Sequence, residues 1–276
     1  MLVPALLFAA GMIVWPFLEA AWLALHAFRF GEDQTFNAGW NYVRLARDAE
    51  FWHAMKLTFA LYVVSLVAQL IVGTWLGLVL ARVQFARELV RIVLVTPFML
   101  PPVVIGMVAV VVLDPGIGVA NWLLGKIGIA PKLFLADPET VILTLAAIDT
   151  WQWAPFVALI VLGGRLSLPA DVFEAAEIDG ATAWQTFRLV TLPLLGPTLI
   201  SAAVLRSVDL LRFFDVIYIT TAGGPGDAST TLNILAYRHG FQFFDIGYAS
   251  AMMLTLAALV LGTVVIFTRL RAAVTW

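Results

Sequence analysis

Six stretches of this chain are each long and apolar enough to cross a lipid bilayer, at roughly 2–28, 55–81, 92–113, 141–163, 192–221 and 248–270. A spanning helix needs about 20 mostly apolar residues. Composition agrees, with 62% hydrophobic and 12% charged residues, where soluble domains carry about 25% charged. The expected fold is an all-α integral membrane protein of about six transmembrane helices, a single domain over 1–276. No linker, low-complexity stretch, repeat or second soluble domain interrupts it.

Several function classes drop out. Without cysteine, disulfides and thiolate metal sites are excluded, and His26, His53 and His239 do not cluster at ligand spacing, so no metal site is expected. A net charge of −2 gives no reason to expect a nucleic-acid partner. No catalytic histidine cluster or G-x-S-x-G motif supports a membrane enzyme. No G-x-x-x-x-G-K-[ST] loop is present either, so the chain is expected neither to bind nor to hydrolyse ATP.

Details within the spans carry structural expectations. Pro97, Pro101 and Pro102 interrupt the third. Proline removes a backbone donor and kinks a helix, tolerable in lipid only where protein satisfies the freed carbonyls. Gly73 and Gly77 share one face of the second span, suited to close helix contact. Orientation is undecided by charge: an inside N-terminus places seven Lys and Arg at or beyond the span ends on each side, although Arg82, Arg87 and Arg91 are concentrated on the inner one. Between spans, 29–54 is polar and rich in interfacial aromatics, Asn121–Gly125 reads as a short interfacial helix, and Gly223-Gly-Pro-Gly226 as a turn.

The segment between the fourth and fifth spans is unlike the rest. It reads as two short helices: Ser167 caps the first, Pro169 lies in its first turn, and Asp171 and Glu174 favour its dipole. Gly180 ends it, Thr182 and Gln185 form a capping box for the second, and Pro193 opens the next span. Trp184 and Phe187 give the second helix an apolar face. Two readings follow from the residues, an interfacial connector and a protruding helix that docks into a groove of a soluble partner.

The string Phe173-Glu-Ala-Ala-Glu-Ile-Asp-Gly-Ala181, trailed by Leu192-Pro193, closely resembles the EAA motif of permease subunits of ABC importers. Trp151-Gln-Trp-Ala-Pro155, Phe214-Asp215, Thr221-Ala-Gly-Gly-Pro225 and Gly247-Tyr-Ala-Ser-Ala251 resemble further signatures of the carbohydrate branch, the maltose-type permeases, over roughly residues 50–276. The resemblance implies a membrane-embedded permease in a bacterial or archaeal cell membrane, with both termini cytoplasmic. It implies a second permease, commonly a different chain, two copies of a cytoplasmic ATPase that bind ATP and Mg, and an extracytoplasmic solute-binding protein. By the same resemblance Glu174, Ala175, Ala176, Asp179 and Gly180 couple the chain to the ATPase. The implied solute is a sugar, a polyol or a related polar molecule, glycerol and sugar phosphates included.

The fifth span carries Arg206, Asp209, Arg212 and Asp215 at i, i+3 spacing with alternating sign. Counted from Pro193, Arg206 and Asp209 lie roughly 20–24 Å into the span, where a charge costs about 2.5–3.5 kcal/mol and faces protein or water. Neighbours can pair as Arg206–Asp209 and Arg212–Asp215. The residues permit an ion-pair ladder or solute contact, with Asp149 of the fourth span open to the same two readings. Carried over by position from the maltose-type relatives, the solute path comprises Trp151, Gln152, Trp153, Phe156, Arg206, Asp209, Leu210 and Phe213. The alternative function is a proton-coupled secondary transporter using Asp149, Asp209 and Asp215, which would have no use for the EAA-like insert.

Overall fold

A polypeptide in hydrocarbon must satisfy its own backbone, and the apolar runs do so as helices. The computed structural model describes residues 3–83 and 87–274. In chain order the elements are α1 (Val3–Ala24), a two-stranded antiparallel hairpin of β1 (His26–Ala27) and β2 (Thr35–Phe36), α2 (Trp40–Arg47), α3 (Ala49–Arg82), α4 (Arg87–Met99), α5 (Pro102–Val112) and α6 (Val119–Lys126). There follow α7 (Val141–Ser167), α8 (Asp171–Ile178), α9 (Ala183–Gln185), a π-helical stretch Thr186–Thr191, α10 (Leu192–Leu210), α11 (Asp215–Thr220), α12 (Leu232–Tyr237), a second π-helical stretch Arg238–Gln242, and α13 (Ile246–Val274).

Among the described residues five helical segments can cross a membrane by length and composition, and α4 with α5, bent by 96°, brings the number to six if the pair is counted as one broken span. The all-α expectation of about six spans therefore holds. The expected first span begins at Leu2, outside the described residues. The bend falls at Leu100-Pro101, where consecutive prolines cannot continue the ladder. The carbonyl of Leu100 is taken up by the side chain of Gln152, whose Nε2 donates to it at 3.1 Å.

Two expected boundaries are corrected. The second span starts earlier than residue 55, because Asp48 caps α3 by accepting the Glu50 N–H at 2.9 Å, and the polar segment before it folds into the hairpin and α2. The fifth span does not run from 192 to 221. It ends at Leu210, where Arg212 N–H turns back to the Asp209 carbonyl, and α11 starts afresh with Asp215 at its N-terminus, a favoured place for an acid.

Packing centres on α7. Its Val141, Leu145, Val157 and Val161 are wholly buried, and α3 lies against it along Gly73 and Gly77. A Cβ on Gly73 would sit 2.5 Å from the Cβ of Val157, and one on Gly77 would sit 2.7 Å from the Ala158 carbonyl oxygen, so only hydrogen fits at either place. By contrast α1 presents Leu6, Phe8, Ile13 and Trp15 outward, as a helix apolar all round does in lipid.

Candidate functional site

Three spans bring polar side chains to one buried point. On α7, Asp149, Gln152 and Trp153 stand at i, i+3 and i+4 and so share a face. Gln69 comes from α3, and Arg206 and Asp209 from the last turns of α10. Asp149, Gln69 and Arg206 are essentially inaccessible. Arg206 Nη2 donates to Asp149 Oδ2 at 3.2 Å, its Nε to Gln69 Oε1 at 2.7 Å, and its Nη1 to Asp209 Oδ2 at 3.4 Å. Gln69 Nε2 donates to Asp149 Oδ2 and closes the ring of contacts. The guanidinium carbon lies 4.0 Å from the centroid of the Trp153 ring, a cation–π contact. A buried charge is tolerated only with such pairing and hydrogen bonding.

Beside this cluster opens a cavity of about 310 Å³, lined by Pro102, Asp149, Gln152, Trp153, Arg206, Asp209, Arg212, Phe213, Phe214 and Asp215. A larger hollow of about 560 Å³ between α3, α4 and α7 has no charged residue in its lining and is walled almost wholly by apolar side chains. The smaller cavity, with five charged side chains in its lining, is the candidate site for chemistry.

Of the residues expected on a solute path, Gln152, Trp153, Arg206, Asp209 and Phe213 line this cavity. Three do not. Trp151, about 100° round α7 from Gln152, is half exposed on the hollow facing α4. Phe156 stacks on Phe98 at 5.3 Å and meets Trp153 edge-on. Leu210 is buried among Tyr62, Leu66, Ala203 and Leu211. The expected Arg206–Asp209 pair forms, but Arg212 pairs with Asp209 at 3.6 Å rather than with Asp215, which has moved off the helix onto α11. Gln69 was missed, although a lone amide inside an apolar run is itself a signal. The Oε1 of Gln152 is buried at the cavity with no hydrogen-bond partner.

At the other end of α7 and α10 lies the insert. Gly180 adopts φ +71°, its N–H bonds the Glu177 carbonyl, and the Ala181 N–H bonds the Ala176 carbonyl, the paired bonds of a Schellman C-cap. Thr182 and Gln185 form the expected capping box, with the Thr182 N–H donating to Gln185 Oε1 at 2.8 Å. The Ser167 expectation is corrected: its hydroxyl donates back to the Gly164 carbonyl at 2.8 Å inside α7, and Pro169 precedes α8 rather than lying in its first turn. Glu174, Ala175, Asp179 and Gly180 are exposed, whereas Ala176 is turned inward. The Arg165 guanidinium, at the end of α7, sits 3.7 Å from the Phe173 ring centroid and ties α8 to that helix.

Comparison with known proteins places these features in context. Residues 69–275 match the family described as "binding-protein-dependent transport system inner membrane component". The trehalose/maltose transport system permease protein of Thermococcus litoralis is 32% identical over 268 residues, covering 97% of this chain and 90% of that protein. The trehalose transport system permease protein of Mycobacterium tuberculosis is 31% identical over 273 residues, covering 98% and 87%. Among solved structures, a bacterial ABC transporter involved in the import of the acidic polysaccharide alginate contains a chain that superposes with a TM-score of 0.85 at 25% identity, covering 100% of this chain and 95% of that one.

Proposed function

Since the chain belongs to the family of inner-membrane components of binding-protein-dependent transport systems, we propose that it is the permease subunit of an ATP-driven sugar importer. It pairs with a second permease to enclose the solute path, receives solute from an extracytoplasmic binding protein, and is driven by two ATPase subunits that hold the ATP and Mg. Both termini and the insert then face the cytoplasm, on the same side as Arg82, Arg87 and Arg91.

The observation that carries the coupling part is the exposed α8, closed at its C-terminus by the Gly180 turn. Its Gly180 turn, followed at once by the Thr182 box that starts α9, fixes the direction of a short helix that presents Glu174, Ala175 and Asp179 outward. A polar outer face with a small residue is what a helix entering a groove on a soluble subunit requires. Ala176, turned inward, serves the packing of α8 rather than the contact. The solute part is supported by a cavity of carboxylate, amide and guanidinium groups beside the aromatic rings of Trp153, Phe213 and Phe214, a mixture suited to hydroxyl groups and to the C–H faces of a sugar ring, and by relatives named for trehalose and maltose.

The test is purification from the native membrane in mild detergent, comparing wild type with Glu174→Lys. An ATPase and a second permease should accompany the wild type, and the ATPase should be lost from the variant. A chain that purifies alone and accumulates sugar in liposomes without ATP would overturn the proposal in favour of a proton-coupled carrier.

A further inference from the structure

Resting on the sugar-importer reading, we infer that the cavity of this subunit selects uncharged, hydroxyl-rich sugars and rejects anionic ones. Relatives of the fold leave this open, one being named for neutral disaccharides and another for import of an acidic polysaccharide.

Recognition of a phosphate, sulfate or carboxylate needs a guanidinium or ammonium free to donate, ideally through both arms of a fork. This cavity has two arginines: Arg206 is fully engaged by the protein, and Arg212, its side chain 57% exposed, stands beside two carboxylates, Asp209 and Asp215. Arg206 is 1% exposed, with Nε, Nη1 and Nη2 directed at Gln69, Asp209 and Asp149 and one face on Trp153. Arg212 donates from Nε to the Val208 carbonyl at 3.0 Å and approaches Asp209 at 3.6 Å. An incoming anion would have to displace Asp209 to reach Arg206, and would meet Arg212 only beside the carboxylates of Asp209 and Asp215.

The lining holds three carboxylates against two guanidiniums, a formal net charge of −1. Asp149 and Arg206 cancel each other at 3.2 Å, leaving Asp209, Arg212 and Asp215 nearest the solute. What remains is mainly acceptor: the half-exposed Asp209 carboxylate, exposed Asp215 and the buried, unpartnered Oε1 of Gln152, against the single exposed donor group of Arg212. A surplus of acceptors is satisfied by a ligand that brings donors. Sugar hydroxyls bring donors without charge, whereas an anion brings acceptors and adds repulsion.

The experiment uses the intact permease–ATPase complex in nanodiscs without the binding protein, so that the cavity alone discriminates. Saturation-transfer NMR is recorded with trehalose and maltose and with the 6-phosphate of each. The wild-type complex should transfer saturation to the neutral sugars and little to the phosphates. Asp209→Asn combined with Asp215→Asn changes the formal charge to +1 and removes the carboxylate that Arg206 Nη1 and Arg212 share, and should raise phosphate binding by about tenfold per charge at these short distances. A wild-type complex that prefers the phosphates, or a double variant with an unchanged preference, overturns the charge selection while the sugar reading stands. No transfer to any of the four sugars in either complex overturns the sugar reading itself, and the selection with it.

Discussion

Replacing Arg206 by methionine removes the group on which the buried cluster converges. Asp149 would keep only the Gln69 amide, and Gln69 Oε1 would lose its donor, both at essentially zero exposure. Breaking a buried pair by removing one partner costs about 3–5 kcal/mol. For a chain of this size 1 kcal/mol corresponds to about 2–4 °C, so Arg206→Met should melt roughly 6–20 °C below wild type. Joining it with Asp149→Leu removes the stranded carboxylate, and the double variant should recover about 2–3 kcal/mol relative to the sum of the single changes, within the range of coupling seen for contacting residues. Thermal unfolding in detergent, followed by the near-ultraviolet circular dichroism of the ten tryptophans, reads all four proteins. Strict additivity, or an Arg206→Met variant that melts with wild type, would refute the view that pairing is what makes Asp149 tolerable inside the bundle.

Gly180→Val should insert normally yet abolish ATP-driven uptake, because a β-branched residue at φ +71° is strained by about 1–3 kcal/mol; Gly180→Asn should retain uptake, and normal transport in the valine variant would sink the role given to this turn. Gly73→Ala should destabilise the α3–α7 contact by about 1–3 kcal/mol of overpacking, read as a lowered Tm, whereas Gly262→Ala, with open space around its Cβ position, should leave Tm in place. His239 carries a pH prediction. Burial first, and then the nearby positive charge of Arg44, hold its imidazole below the ordinary 6.5, against weaker opposing pulls from Asp245, Asp48 and Glu50. The unfolded chain then binds the proton more readily, so stability is full above pH 6.5 and falls as pH drops below it toward the folded value. His239→Phe should flatten Tm across that window, and an unaltered pH profile would contradict the assignment.

What could be read in advance follows the range of the interactions involved. The spans of α3, α7 and α13, the bend at Pro101-Pro102, the close approach at Gly73 and Gly77, and the Gly180 and Thr182 caps depend on residues a few positions apart. The ring joining Gln69, Asp149 and Arg206 spans separations of 80, 57 and 137 residues, beyond any local pattern. The error at the Arg212–Asp215 pair comes from a helix continued past the true end of α10, so that Asp215 was placed on a face it never occupies, whereas Leu210 was carried over by position and faces the apolar packing around Tyr62. Trp151 entered the solute list with its motif as a block, although adjacent helical residues point about 100° apart. Ser167 looked like a cap because serines often are, yet α7 runs one turn further than expected and absorbs it.

The ring also sets a constraint on how the protein is made. Spans enter the bilayer in chain order, and Asp149 precedes Arg206 by 57 residues. At about 5–20 residues per second, α7 leaves the ribosome roughly three to eleven seconds before its counter-ion exists. A central aspartate costs about 2.5–3.5 kcal/mol on insertion scales, and during that interval the earlier span α3 offers only the Gln69 amide as partner. Synthesis therefore passes through a half-built bundle whose most polar residue is still waiting. Membrane quality control has its clearest target at that stage, and a mutation that delays or misplaces α10 should reveal itself first as degraded chain rather than as impaired transport.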